Sequence, residues 1–418
     1  MKRTLLLLLF ISSFSLCFCQ EANKAYAITG NGNGDFQWMN IRQIDLSTGT
    51  VTRNIFEQGV TQYQMRDAAS NRQITLPAIL SGDQTKQINY SDYPTATMVA
   101  AAAFDKKHNK LFFAPMFLGE LRWIDVSSNT GIPQFYTIHS TLLQPGNPVD
   151  EAIHITRMTI GADGNGYALT NDGNHLIRFS TGKKIIITDL GALVDASSNN
   201  PLSVHNRCSS WGGDIVADAF GKLYLFTASK NIFKIDVDTR IATYLGSITG
   251  LSGTYTVNGA AVDDNDNVIV NSANSFEGFY KVSMKDFSSI KLLTKGQVYN
   301  SSDLANANLL FESQLRKTVG SAKLMQKEII GNQFISIYPN PVFNSQFKIT
   351  FDNYITGEYN VVLTDVQGKI IMSKQVFVKS AGQSETILLR TKPANGLYLI
   401  KVTNANRKSI FSDKIVFD

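Results

Sequence analysis

The side chains with the readiest chemistry are few and scattered. Histidines stand at 108, 139, 154, 175 and 205, and Cys208 is the one cysteine beyond Cys17 and Cys19. His205 lies close to Cys208, yet His205-Asn206-Arg207-Cys208-Ser209-Ser210 matches no nucleophile-and-base arrangement, and a structural thiol is the simpler reading. Neither His-Glu-x-x-His nor Gly-x-Ser-x-Gly occurs. Gly30-Asn31-Gly32-Asn33-Gly34 lacks the lysine and the strand-to-helix context of a phosphate loop. What remains is oxygen chemistry. Asp67, Glu151, His154 and Asp214 fall just ahead of or on candidate inner strands, where ligands from different parts of the chain could converge on a cation that activates water. Asp163, Asn165, Asp263, Asp264 and Asp266 offer calcium-type oxygens without EF-hand spacing, in turns that need no metal to form. No catalytic residue and no cofactor is assigned, and calcium or another divalent ion stays open. Trp38, Trp123 and Trp211, with the loops 31–38 and 144–150, are either platforms for a sugar or peptide or packing between sheets.

The elements that must carry these residues are short strands. From Tyr26 to about Glu312 a four-strand unit recurs. One copy runs through 98–104, 110–114, 121–126 and 134–138, the next through 155–160, 166–170, 175–179 and 184–188. A third takes 214–219, 222–227, 231–237 and 241–245, and a fourth 257–262, 267–271, 279–282 and 290–293. A turn rich in Asp, Asn and Gly follows the first strand of each. The opening unit, at 25–29, 39–46 and 51–56, has no inner strand before it. Ser302–Phe311 can supply that strand from the far end, which closes a ring and leaves no free sheet edge. The expectation is an all-β chain: a β-propeller of five or six blades over residues 20–312, followed by a small immunoglobulin-like β-sandwich. A sixth blade would come from 61–94, with strands at 72–80 and 87–90. Two β-sandwiches would leave the repeated turn unexplained.

Composition narrows the partners. The 418 residues carry 39 Lys and Arg against 34 Asp and Glu, spread along the chain, so the net charge of +5 describes no focused nucleic-acid surface. Mean hydropathy is −0.07 with one short apolar run, which excludes a polytopic membrane protein. That run, 5–18, follows Lys2 and Arg3 and reads as a signal peptide over 1–19, cleaved between Cys19 and Gln20. It is short for a membrane anchor, and neither Cys17 nor Cys19 follows a convincing lipobox. Cys208 then remains alone, so no internal disulfide and no integral membrane span are expected after cleavage.

Residues 313–330, with Lys317, Lys323 and Lys327, read as a linker, and 331–418 as a compact all-β module. Its strands are expected at 347–351, 357–365, 369–378, 383–389, 396–403 and 408–416. Four motifs occur there in order: Tyr338-Pro339-Asn340-Pro341; Gly357-Glu358-Tyr359 running through Leu363 and Asp365 to Gly368-Lys369; Gly396-Leu397-Tyr398; and Lys414-Ile415-Val416. Together, behind an amino-terminal signal, they resemble the type A carboxy-terminal sorting domain of type IX secretion cargo of Bacteroidota. Lys392-Pro393-Ala394-Asn395 departs from that pattern only in the turn approaching Gly396. The resemblance implies Sec export, folding in the periplasm of a Gram-negative cell, and passage through the outer membrane by the type IX machinery, to release or surface attachment.

For the ring itself two readings stand. One is a binding module for a glycan, peptide or surface partner; it requires a rim of exposed aromatic residues. The other is a metal-dependent, lactonase-like or other hydrolase, which requires at least three oxygen or imidazole ligands converging over the channel.

Overall fold

The computed structural model describes residues 23–417 apart from 33, 75–92, 128–130, 295, 314–333, 353–355, 381 and 407. The expected signal segment, most of the expected linker and the possible strand 87–90 lie outside the described residues.

The strands are short because each blade is a four-strand meander. The first blade contains β1 (Lys24–Thr29), β2 (Asn40–Asp45) and β3 (Val51–Phe56). Two small strands follow, β4 (Gln64–Asp67) and β5 (Gln73–Ile74). The second blade is β6 (Val99–Asp105), β7 (Lys110–Pro115), β8 (Glu120–Asp125) and β9 (Gln134–His139). The third is β10 (Ile155–Ile160), β11 (Gly166–Thr170), β12 (Leu176–Phe179) and β13 (Ile187–Asp189). After β14 (Val194–Asp195), the fourth is β15 (Asp214–Ala217), β16 (Lys222–Phe226), β17 (Asn231–Asp236) and β18 (Ile241–Ser247). The fifth is β19 (Gly259–Val262), β20 (Val268–Asn271), β21 (Tyr280–Val282) and β22 (Ser289–Lys291).

Ring closure follows the expected route. β23 (Ser301–Ala305) pairs antiparallel with β1, setting Leu304 opposite Ala27 and Asp303 opposite Ile28. The last strand of the ring is thereby the inner strand of the first blade. The five inner strands stand side by side in the order β23, β6, β10, β15, β19 and back to β23.

Five blades form among the described residues, and the described part of 61–94 adds no sixth. Gln64–Asp67 instead lies parallel to β9, with Gln64 opposite Gln134, and Gln73–Ile74 pairs with it. The segment widens the second blade at its outer edge, as β14 widens the fourth by lying parallel to β18. The physical reason is register: the ring is already closed by β23, and a polar strand such as Gln-Met-Arg-Asp suits a half-exposed edge better than a two-sided core.

The turn after each inner strand explains the recurrent Asp, Asn and Gly. In four blades a residue one or two places before the second strand has positive φ: Asn109 at 52°, Gly164 at 75°, Gly221 at 79° and Asp266 at 61°. Gly reaches this region freely, and Asn and Asp at lower cost than other residues. Near the axis small residues dominate. Ala101, Ala102, Ala103, Ala260 and Ala261 are almost wholly buried, and a Cβ on Gly259 would meet Leu304 Cγ at 2.7 Å. Between blades the core is aromatic and branched, with Phe112, Phe113, Phe135, Phe179, Phe226 and Phe233 fully buried. Strands with both faces covered need no polar alternation.

The carboxy-terminal module forms two sheets. β24 (Phe334–Tyr338), β25 (Gln346–Asp352) and β28 (Gln383–Leu388) make one. β27 (Ile370–Val378), β26 (Gly357–Asp365), β29 (Gly396–Asn404) and β30 (Ser409–Phe417) make the other. Phe347, Phe351, Val361, Leu363, Ile400, Val402 and Ile415 fill the space between them. No helix among the described residues is long and apolar enough to cross a membrane.

Candidate functional site

A propeller has two faces. The turn face carries the connections from first to second and from third to fourth strand of each blade. The rim face carries the second-to-third turns and the longer loops that lead into the next inner strand, so it has most of the freedom to vary.

The four channel candidates do not meet. Asp67 sits on β4 at the outer edge of the second blade, away from any inner strand, and its Oδ1 accepts from the Ser70 amide at 2.7 Å and hydroxyl at 2.6 Å. Those bonds hold its carboxyl below the usual range. Glu151 lies in a short 3-10 turn, Glu151–Ile153, and makes an exposed ion pair with Arg207 at 2.8 Å. His154 follows that turn, buried, with Nε2 at 2.8 Å from the Pro148 carbonyl and its ring 4.4 Å from that of Phe117. Asp214 alone reaches the axis.

Asp214 opens β15 and is fully buried. It accepts from the amides of Ile215 and of Ala260, both at 2.7 Å, the latter on β19 of the next blade. Its neighbour across the axis is Asp303 of β23, also fully buried and hydrogen-bonded to it. Burial first, and then the charge of Asp214, drive the Asp303 carboxyl well above the carboxylate range. The Ala102 amide leans toward Asp303 without forming a bond of ordinary geometry, so neither Asp303 oxygen receives a protein N–H or hydroxyl donor. A proton held between the two carboxyls supplies the missing partner. The sequence placed Asp303 on the closing strand but gave no sign of this pairing, which exists only once the ring is shut.

The donor set around the pair is made of backbone N–H groups, which suits one shared negative charge rather than a cation. Among the described residues no group of three or more His, Cys, Asp or Glu is placed to hold a metal ion. The candidate calcium turns are likewise filled by donors. Asp163 accepts from Asn165 N at 3.1 Å, Asn165 Nδ2 at 2.9 Å and the Tyr167 hydroxyl at 2.7 Å. Asp263 accepts from the amides of Asn265 and Asn267, Asp264 from Asn265 Nδ2, and Asp266 from the Ser313 hydroxyl.

Below the pair the channel is closed. Asn306 and Asn308 each donate to the Val262 carbonyl, and the Leu310 amide donates to Ala217, carrying the chain across the turn face. A cavity of only about 10 Å³ remains there, too small for a substrate.

The rim face is different. Phe36 and Phe117, on the second-to-third turns of the first and second blades, are 48 % and 40 % exposed. Phe36 faces Phe276 of the fifth blade at 5.9 Å. Trp38, half-buried, donates to the Ala273 carbonyl at 3.3 Å, and Tyr299 lies under the Arg42 guanidinium at 4.1 Å. Across the face Trp211 donates to the His205 carbonyl and carries Arg207 over its ring at 5.1 Å. Trp123 belongs elsewhere: it is buried and stacked on Tyr136 at 5.5 Å, a packing residue between blades. Cys208 is exposed in a four-residue helix, Arg207–Ser210.

In the carboxy-terminal module the first and last motifs meet. Asn340 Nδ2 donates to the Lys414 carbonyl at 2.8 Å, and Asn340 Oδ1 accepts from Val416 N at 2.9 Å. Gly357, Tyr359, Leu363 and Asp365 lie on β26, with Tyr359 and Leu363 buried. Asp365 caps the turn to Gly368 and Lys369, accepting from the Gln367 and Lys369 amides at 2.9 Å. Gly396 opens β29, and Tyr398 packs on Phe417 at 5.1 Å.

Residues 336–418 match the family model described as a secretion system C-terminal sorting domain. No curated protein matches the chain. Among solved structures, PorZ, a surface component of the type IX secretion system of Porphyromonas gingivalis, aligns over 94 % of this chain and 51 % of its own, at 13 % identity and a TM-score of 0.30. This chain thus spans about half the length of PorZ. Virginiamycin B lyase from Staphylococcus aureus aligns over 95 % of this chain and 96 % of its own, at 11 % identity and a TM-score of 0.31. A putative 6-phosphogluconolactonase from Bacteroides uniformis aligns over 68 % and 71 %, at 12 % and 0.32. Likenesses this distant assign no activity. The sorting domain does assign a route: it directs the chain to type IX secretion, and so to the surface or surroundings of a Bacteroidota cell.

Proposed function

We propose that this type IX secretion cargo presents its propeller outside the cell as a binding module, with the ligand seated on the rim face. The observation that supports the reading is the aromatic rim: Phe36, Phe117, Trp38, Trp211, Phe276 and Tyr299 all lie on the face opposite the closed end of the channel. Flat rings suit the apolar faces of pyranose rings or an extended peptide, and the Trp and Tyr members add a polar edge. The axis offers no comparable site, because its two carboxyls are committed to each other.

A glycan array probed with the secreted protein tests this. Binding that is lost in Phe36→Ala or Phe117→Ala supports a carbohydrate ligand. Equal signal from wild type and both variants would move the ligand off the rim. An absence of glycan binding, together with a hydrolytic activity that a chelator abolishes, would replace the reading with the metal-dependent hydrolase.

A further inference from the structure

The turn face of the propeller is occupied by the chain's own carboxy-terminal domain, and the contact is built like a reversible clasp. At its centre is Tyr338, the first residue of the sorting motif, only 8 % exposed. Its ring lies over Gly221 in the first turn of the fourth blade, where a Cβ would meet Tyr338 Cε2 at 3.0 Å. Its hydroxyl faces Asp163, in the equivalent turn of the third blade. The positive φ that the propeller turn requires at Gly221 thus also clears a seat for the tyrosine.

Charge fixes the orientation. On one side Lys348 of β25 reaches Asp238, in the last turn of the fourth blade, at 2.6 Å, with the lysine side chain 11 % exposed. Thr386 of β28 donates to the same carboxylate. On the other side Asp352, at the far end of β25, faces Lys107 in the first turn of the second blade. The negative partner is on the propeller at one end and on the sorting domain at the other, so a reversed docking would oppose like charges. Phe220 and Phe343 meet edge to face at 4.9 Å beside the Asp238 pair. Between the clusters a polar cavity of about 240 Å³ remains, lined by Lys107, His108, Asp163, Thr181, Tyr338 and Asp352. Polar pairing around trapped space is the texture of an interface that opens, not of a fused core.

We propose that the turn face of blades two to four is a docking site for this chain's own sorting domain, and that docking masks Tyr338. Any receptor that reads Tyr338 must then displace the propeller. A receptor that reads the β27–β26–β29–β30 sheet need not.

The test is hydrogen exchange of peptides spanning 336–348 in the intact mature protein. Asp238→Lys and Phe220→Ala alter only the propeller, so they can change protection in the sorting domain only through docking. Each should speed exchange there about two- to fivefold, the range for losing one such pair or ring contact. The double variant D238K/K348D should restore it. Protection over β17 and β18 serves as the control for propeller folding, and should Asp238→Lys fail it, Phe220→Ala carries the test. Unchanged exchange at 336–348 in a folded propeller-side variant would overturn the proposal, as would a charge swap that restores nothing.

Discussion

Asp303 and Asp214 meet side chain to side chain across the axis of the propeller, joining the inner strand that closes the ring to the inner strand of the fourth blade, and burial raises both carboxyls well above the ordinary carboxylate range. Two carboxyls in contact away from water cannot both ionise, and the amides bonded to the pair, those of Ile215 and Ala260, reach Asp214. The folded protein therefore holds a proton that the unfolded chain releases near pH 4.

The sign of the resulting pH dependence follows. A carboxyl whose folded pKa is raised contributes stability that is complete below its unfolded pKa and is lost as pH climbs through the folded value. Asp218, raised to about 6 mainly by burial, adds a loss of the same sign between about pH 4 and 6. Thermal melts of the mature protein should show the midpoint declining toward alkaline pH. Asp303→Asn keeps a donor to Asp214 without a titrating proton, so its midpoint should decline less steeply than that of wild type. Asp303→Ala leaves Asp214 buried with one partner fewer and should cost about 2–4 kcal/mol at neutral pH. Parallel wild-type and Asn slopes would show that Asp303 is not the proton's seat.

Arg157, fully buried on β10, ties rim loops to the third blade. Its guanidinium donates to the carbonyls of Thr170, Asn171, Ser210 and Gly212, at 2.6 to 3.2 Å. Burial pulls its pKa down to about 9, which leaves it charged at neutral pH. Arg157→Met fills similar space but strands those carbonyls, so chemical denaturation should report a loss of about 3–5 kcal/mol. Arg157→Lys should recover only part of it, since an ammonium has three donors and no planar fork.

Two kinds of aromatic residue should part company under substitution. Trp123→Ala empties a packed site between blades and should cost about 3–5 kcal/mol without touching a rim ligand. Phe36→Ala and Phe117→Ala remove exposed rings and should shift stability by no more than about 0.5 kcal/mol. Melts and ligand titrations on the same three variants separate packing from binding. A destabilised Phe36→Ala would mark Phe36 as a packing residue instead.

What could be read from the residues depended on whether the signal was local. Strand positions at 357–365 and 396–403 came through because apolar alternation between turns is a property of neighbours along the chain. The closing strand came through as well, since an incomplete first unit and a surplus apolar strand at 302–311 need each other. The fate of 61–74 did not, because β4 lies parallel to β9 across a gap of about seventy residues and no local pattern encodes that. Asp67, on that strand, lies at the outer edge of the blade for the same reason. Glu151 and His154 were close to an inner strand in sequence but sit in the loop before it, where a 3-10 turn puts them on the rim. Asp303 shows the converse limit: an aspartate in a strand looks ordinary until ring closure brings Asp214 against it.

The last prediction concerns Asn340 in the sorting domain. Proline at 339 and 341 leaves this stretch short of backbone donors, and the Asn340 amide compensates by acting as an extra strand residue. It bonds Lys414 and Val416 of β30, and the Val342 amide then donates to the Val416 carbonyl, so the final strand is held on both edges. Asn340→Ala removes two bonds and should weaken the module by about 2 kcal/mol. Asn340→Asp retains the acceptor for Val416 but sets a carboxylate against the Lys414 carbonyl, so it should rescue poorly. If the intact strand is what the machinery reads, fractionated cells should hold both variants in the periplasm while wild type reaches the surface or the medium. Secretion of Asn340→Ala at the wild-type level, with a destabilised module verified in the purified protein, would show that the motif serves folding and that recognition lies elsewhere on the sheet.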